Sequence, residues 1–284
     1  MASETFTIFG ATGFIGSALA NRLKAEGHCV QTPARDTPIE SKPMGHIIYA
    51  IGLTADFRTR PFETIDAHIG RLQEILSSAT FDSFLYLSST RVYARASDGQ
   101  EDTSIPTDTS DPSDLYNLSK LTGESLCLNC GPATRIARLS NVFGAAMMET
   151  PSFLSSVIGE ALAQNHITLH SNPASAKDYV AIDDVITALI HIALNGSDRI
   201  YNVGSGANVT HGEILDRIAA LTGATWSVDE KANAIEFPVI STQKLSESVN
   251  AFGAKWSPQS VIDELPDLIA ETQRYIEPAK GAVA

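Results

Sequence analysis

Tyr116 and Lys120 stand four residues apart in the stretch Ser113-Asp-Leu-Tyr-Asn-Leu-Ser-Lys120. On a helix that spacing puts both side chains on one face. An ammonium beside a phenol stabilises the phenolate, so the pair can exchange protons near neutral pH. The same spacing occurs on ordinary helix surfaces, and two other stretches raise its weight. Gly10-Ala-Thr-Gly13-Phe-Ile-Gly16 follows a β-rich run and opens a helical pattern. Glycines there let the backbone approach a pyrophosphate whose charge is met by the helix N-terminus. Leu87-Ser-Ser-Thr-Arg-Val-Tyr93 brings a hydroxyl, Ser89, to the end of another apolar run. A Tyr–Lys pair, a Ser and a phosphate-cradling loop together point to redox chemistry on a bound dinucleotide.

The elements that must position these groups are legible as alternating strands and helices. Thr5–Phe9 reads as the first strand, Gly16–Lys24 as a helix ended by Gly27, and Cys29–Pro33 as the second strand. His46–Ile51 and Ser83–Leu87 read as buried strands flanking an amphipathic helix over Ile65–Ser78. The helix bearing Tyr116 and Lys120 runs on to Leu128, and the strand Arg135–Leu139 follows. This alternation predicts a Rossmann-type α/β fold: a doubly wound parallel sheet with helices on both faces. Asp98–Asp114, rich in Asp, Thr, Ser and Pro, reads as a surface loop. Later segments are looser: helices over Phe153–Gln164, Ile182–Leu194 and His211–Leu221, a loop over Ser171–Lys177, and a strand at Ile200–Val203. The remainder, with Trp226, Trp256 and Pro258, is expected to form a smaller C-terminal lobe. The expected division is 1–143 with 178–205 for the NAD(P)-binding part, and 144–177 with 206–284 for the substrate-binding lobe.

Composition narrows the partners. A net charge of −13 opposes sequence-independent nucleic-acid binding and an anionic membrane surface. No apolar run is long enough to span a bilayer and no basic n-region precedes a hydrophobic stretch, so a cytoplasmic protein is expected. Cys127 and Cys130 have the C-x-x-C spacing, but the only other cysteine is Cys29 and the pair falls within a helical pattern. They read as ordinary helix residues, and no metal site is expected.

Cofactor choice is set at the end of the second strand, where an acid binds a ribose 2′-hydroxyl and an Arg accommodates a 2′-phosphate. Ala34 takes the place of the acid, with Arg35 next to it and Asp36 one further. That favours NADP over NAD, and Asp36 keeps NAD open.

With these residues in order, the chain resembles the extended short-chain dehydrogenase/reductase family, in its nucleotide-sugar epimerase/dehydratase/reductase branch. Gly10, Gly13 and Gly16 match the family's glycine motif, Ser89 its catalytic Ser/Thr, and Tyr116 with Lys120 its Y-x-x-x-K. Arg138-Leu-Ser-Asn-Val-Phe-Gly144 is similar to its R-x-x-N-x-x-G, with Asn141 facing substrate. Lys177-Asp-Tyr-Val-Ala-Ile-Asp-Asp184 is similar to its R-D-Y-V-x-V-x-D, and Tyr201-Asn-Val-Gly-Ser-Gly206 to its Y-N-V-G-S-G. The resemblance implies catalysis by Ser89, Tyr116 and Lys120. It implies cofactor contacts from Gly10, Thr12, Gly13, Phe14, Ile15, Gly16, Arg35, Ala50, Gly52, Tyr116 and Lys120. Substrate contacts would come from Ser89, Thr90, Asn141 and Lys177. A homodimer is implied as well.

Departures from the family's pattern shape the functional expectation. Only about ten residues separate the second strand from His46, where the family places another strand and helix. His68 stands where the family has an Asn, as a packed or water-bridging residue or else a proton-relay member. Lys177 replaces an Arg near the substrate phosphates, and Asn233 stands where many members have a second phosphate-binding Arg. Thr90 and Arg91 replace the Asp-Glu pair that dehydratases use, so elimination lacks its acid and base. The expectation is an NAD(P)-dependent oxidoreductase acting on a nucleotide-linked sugar, with a 4-keto reductase preferred. A 4-epimerase with tightly bound NAD, or a reductase of a non-nucleotide alcohol or ketone, would use the same residues. A non-catalytic dinucleotide sensor would be expected to lose Tyr116 or Lys120.

Overall fold

β-Branched and aromatic runs supply the strands, and the order of elements follows their alternation with amphipathic segments. In the computed structural model, which describes residues 3–39, 42–53, 57–144, 152–229 and 237–281, the chain begins β1 (Thr5–Phe9), α1 (Phe14–Ala25), β2 (Cys29–Gln31), β3 (His46–Tyr49). It continues through α2 (Pro61–Ile65), a π-helical turn (Asp66–Gly70), α3 (Arg71–Ser78), β4 (Ser83–Ser89), a 3₁₀ turn (Thr90–Arg95) and α4 (Asp114–Asn129). Then come β5 (Thr134–Leu139), β6 (Asn141–Phe143), α5 (Phe153–Gln164), β7 (His166–Leu169), β8 (Ala176–Ala181) and α6 (Ile182–Asn195). The last elements are β9 (Ile200–Val203), β10 (Asn208–Thr210), α7 (His211–Thr222), β11 (Thr225–Val228), α8 (Gln243–Asn250) and α9 (Val261–Gly281).

Among the described residues six strands form one parallel sheet in the order β2-β1-β3-β4-β5-β9. Successive residues point to opposite faces, and both faces are buried. Phe6, Ile8, Ile48, Leu85 and Ala137 pack against α1 and α6, while Phe9, Ile47, Tyr49, Phe84, Tyr86 and Ile136 pack against α3 and α4. β1 has β2 on one side and β3 on the other, so connections leaving β1 and β3 diverge at their carboxyl ends. That is the crevice where ligands of such sheets bind.

β2 lies at the sheet edge and stops at Gln31, two residues short of the expected Pro33, which has no N–H to continue a ladder. β3 likewise ends at Tyr49 rather than Ile51. The long helix expected over Ile65–Ser78 begins at Pro61 and carries the π turn at Asp66–Gly70. Its wider turn presents carbonyls to two buried hydroxyls: Tyr49 donates to the Ala67 oxygen (2.6 Å) and Tyr86 to the His68 oxygen (3.5 Å). Lys177, expected in a loop, lies on β8.

A second hydrophobic core joins α5, α7 and α9 with the paired strands β7 and β11, through residues such as Ile158, Ile167, Ile214 and Leu265. Trp226 packs there, whereas Trp256, Leu245 and Val249 pack on the first core. Between the two cores, β8 pairs with β6 and β10, and its residues reach both.

Candidate active site

The glycine loop is shaped by contacts that exclude side chains. Gly10 has φ +87°, and a Cβ there would lie 2.7 Å from the Ala50 carbonyl carbon; at Gly16 it would lie 2.2 Å from the Gly10 oxygen. Gly13 is different, since a Cβ there would meet only ordinary contact at 3.5 Å. Its smallness serves what lies outside the chain. Gly13 caps α1 with no side-chain bond, and the helix has no acid in its first turn. The free N–H groups of that turn therefore suit a bound phosphate.

A groove of about 620 Å³ runs from this loop along α1 to the end of β2, past Thr12, Ser17, Asn21, Lys24 and Arg35. Ala34 and Arg35 line it, and Asp36 is not among its lining residues. Ser17, Asn21 and Lys24, spaced i, i+4 and i+7, form one face of α1. Lys24 was not singled out from sequence, although this spacing marks it. Where the family's outer strand and helix would stand, the described residues between β2 and β3 form neither, and Arg71 pins the segment by donating to the Thr37 carbonyl.

At Ala50–Gly52 the groove meets a chamber of about 590 Å³ that holds Phe14, Ile15, Ser89, Tyr116, Lys120 and Asn141. The fold thus brings together the expected cofactor-binding residues and the three expected catalytic ones. Tyr116 is 3 % exposed, its ring wedged between Phe57 (5.4 Å) and the edge of His68 (5.4 Å). Burial pushes its phenol above the usual value; a hydrogen bond with Ser89 and the charge of Arg91 act in the opposite direction. Lys120 is not among the groups that shift it. The Lys120 ammonium lies 6.0 Å from the ring centroid and donates to the Leu87 carbonyl (3.0 Å).

His68 is fully buried and held at both nitrogens. Nε2 accepts from the Leu53 N–H (3.2 Å). The Ser119 hydroxyl donates to the Tyr116 carbonyl (2.8 Å), so Nδ1 must carry the proton in its 2.8 Å contact with Ser119. Burial and the nearby Lys120 push its pKa down to about 2. Of the two readings of His68, the geometry is that of a packed neutral imidazole with neither nitrogen free for a relay.

Burial also pushes Lys120 down to about 7, against the opposing charge of Glu124. An unfolded lysine titrates near 10.5, so between about pH 7 and 10.5 the unfolded chain holds a proton that the folded chain has released. Stability through Lys120 therefore rises with pH across that window, and below it the cost of burying the charge is fully present. Lys120→Met removes this dependence. Its stability advantage over the parent in urea titrations should shrink by about 1.4 kcal/mol per pH unit from about pH 7 to 9. A difference that stays flat over that range would mean Lys120 remains charged.

Beyond Tyr116 a smaller cavity, about 190 Å³, is lined by Ser89, Thr90, Arg91, Asn141, Lys177 and Phe237 among others. Thr90 is turned away, donating to the Leu139 carbonyl (3.3 Å), and Asn141 is fixed by donating to the Asp178 carbonyl (2.8 Å). Asp178 organises the loop Gly204-Ser-Gly206: its carboxylate accepts N–H bonds from Ser205 (2.8 Å), Gly206 (2.6 Å) and Ala207 (3.1 Å), and the Ser205 hydroxyl (3.0 Å). Lys177 is half-buried, its Nζ 5.8 Å from the Phe237 ring centroid. Arg91, which sequence marked only as a departure from dehydratases, projects beside Tyr116. Asn233 lies outside the described residues. Cys127 is a core residue behind the sheet, and Cys130 is exposed at the end of α4.

Comparison with known proteins agrees with this arrangement. The chain is 25% identical over 250 residues to a GDP-6-deoxy-D-mannose reductase of Pseudomonas aeruginosa, covering 76% of this chain and 80% of that one. It is also 25% identical over 188 residues to a dTDP-glucose 4,6-dehydratase of Streptomyces griseus, covering 60% of this chain but only 55% of the dehydratase. Among solved structures, MoeE5 in complex with UDP-glucuronic acid and NAD superposes with a TM-score of 0.78, at 20% identity, over 95% of this chain and 99% of that one. The family model described as NAD dependent epimerase/dehydratase family matches residues 6–204. With its glycine loop, Tyr116 and Lys120 set in one continuous cleft, the chain is an enzyme of the NAD dependent epimerase/dehydratase family.

Proposed function

We propose that the protein is a nicotinamide-dependent reductase of a keto group on a nucleotide-linked sugar. The observation that carries this reading is Tyr116 itself: a buried phenol, raised by its surroundings and bonded to Ser89, where a dinucleotide groove meets a cation-lined cavity. A bound nicotinamide supplies the hydride. Tyr116 then delivers the phenolic proton to the new alkoxide, and Ser89 orients the oxygen. A phenol kept protonated suits the reducing direction. Lys120, beside Gly52 at the junction of the two clefts, would hold the nicotinamide ribose. Gly13 and the first turn of α1 would hold the pyrophosphate. Lys177 would meet a substrate phosphate as a single charge rather than a fork. Residues 1–143 with 178–205 would serve the cofactor, 144–177 with 206–284 the substrate, in a homodimer.

This reading takes NADPH as the cofactor because two cations, Lys24 and Arg35, line the groove. Removing either by alanine substitution should weaken NADPH roughly five- to tenfold and leave NADH nearly unchanged, since each is a solvent-screened contact. Fluorescence titration of both reduced dinucleotides checks this.

The reading as a whole is tested by denaturing purified protein and identifying any released dinucleotide by mass spectrometry. A site that is empty, or filled by NADP and selective for NADPH, supports a reductase. Stoichiometric NAD carried through purification would instead mark a 4-epimerase that recycles its own hydride.

A further inference from the structure

Among the described residues Arg91 is a cation without an ion-pair partner. Its Nε is buried with no hydrogen-bond partner among them. It lies over two aromatic rings, 5.2 Å from the Phe57 centroid and 5.7 Å from that of Tyr116. Burial and the like charge of Arg58 lower its pKa; Tyr116, Asp114 and Asp111 act in the opposite direction, neither acid in an ion pair with it, and Arg91 in turn lowers Lys177. Lys177 shares the cavity and likewise has no carboxylate partner among the described residues. Asp178 also lines it, but its carboxylate already accepts four bonds from the loop after β9.

The chain carries a net charge of −13, yet among the described residues neither cation has a carboxylate ion-pair partner and both line one cavity. Holding half-buried charge without a partner carries a cost that a ligand of opposite charge would offset. One partner is the substrate phosphate already proposed for Lys177. Arg91 sits elsewhere along the cavity. Its backbone N–H bonds the Ser89 hydroxyl (3.2 Å), and that serine bonds Tyr116, so its side chain leaves the chain at the reacting end. Two aromatic rings flank the guanidinium, which as a planar fork can pair with a carboxylate through two parallel bonds.

We infer that Arg91 selects a substrate carrying a carboxylate beside the reacting carbon, a hexuronate-type sugar in preference to a neutral hexose. This rests on the reading of the cavity as a sugar site. The experiment uses calorimetry on the dinucleotide-loaded protein and on Arg91→Gln and Arg91→Lys. The probes are a nucleoside diphosphate, its neutral hexose and its hexuronate in the UDP and GDP series, with free glucose and glucuronate beside them.

The parent should bind the hexuronate roughly tenfold or more tighter than the hexose. Arg91→Gln should bring the two to parity while leaving the bare nucleoside diphosphate within about twofold, and Arg91→Lys should keep part of the preference. Equal binding of hexose and hexuronate by the parent overturns the inference. So does an equal loss for the bare nucleoside diphosphate, which would assign Arg91 to the phosphates. If glucuronate binds through Arg91 and no nucleotide improves it, the inference stands and the nucleotide reading falls. If nucleotide sugars bind without regard to the carboxylate, the outcome is the reverse.

Discussion

Tyr116→Phe is expected to lower turnover by about 10²–10⁴-fold while leaving dinucleotide affinity within about twofold. The two side chains differ by one hydroxyl, and the ring is held by contacts that Phe keeps: Phe57, the edge of His68 and the Arg91 guanidinium. Packing is therefore conserved, and the loss is that of the proton at the reacting oxygen together with the partner of Ser89. In the proposed reading dinucleotide binding rests mostly on the glycine loop and α1, which line the groove on the other side of Ala50–Gly52. Initial rates with the reduced cofactor and a fluorescence titration separate the two effects. A variant with near-full turnover would remove Tyr116 from the chemistry and with it the reductase reading. A variant that lost cofactor binding equally would make Tyr116 a wall of the groove.

Residue types and spacing foretold most of the central sheet and many of the residues that line the cleft, because those residues come in order along consecutive strands. Runs such as Ser83–Leu87 and Arg135–Leu139 are buried on both faces and leave no ambiguity about strand and sheet. β6, β7, β10 and β11 are short and partly polar, and Thr225–Val228 is mostly exposed, so no apolar run marks them. The π turn was hidden because adding one residue to a turn changes no residue type. Its cause, two tyrosine hydroxyls on β3 and β4, lies in other elements. α9 carries Pro266 inside its span, which masks its periodicity. Lys24 and Arg91 are ordinary basic residues in a list. What distinguishes Arg91 is the absence of a carboxylate partner among the described residues, and pairing is a property of the folded chain alone.

Arg138 illustrates the same point with the largest expected cost in stability. In sequence it opens the R-x-x-N-x-x-G element; in the fold it never reaches the cavity. Both it and Glu124 are 4 % exposed, and they meet through Nη2–Oε2 (2.6 Å) and Nε–Oε1 (3.0 Å). Ser88 donates to Glu124 (2.5 Å), while Nη1 of Arg138 donates to Tyr93 (2.6 Å) and to the Glu101 carbonyl (3.2 Å). Tyr93 passes the chain on to Asn202 on β9 (2.9 Å). The network thus ties β4, β5 and β9 to α4, and Glu124 lies one turn beyond Lys120 on that helix. Removing one partner leaves a buried charge uncompensated, so Arg138→Met should destabilise by about 3–5 kcal/mol. Taking out both charges removes that penalty. Arg138→Met/Glu124→Met should therefore be more stable than Arg138→Met alone by roughly 1–3 kcal/mol in urea unfolding. A double variant no better than the single would mean that Glu124 finds other partners and that Arg138 acts through Tyr93 and Glu101 instead. If the pair orients the catalytic helix, the double variant should also fold well yet turn over slowly. Its α4 would keep the apolar contact with β4 and β5 but lose the directional bonds that set Tyr116 and Lys120 against Ser89.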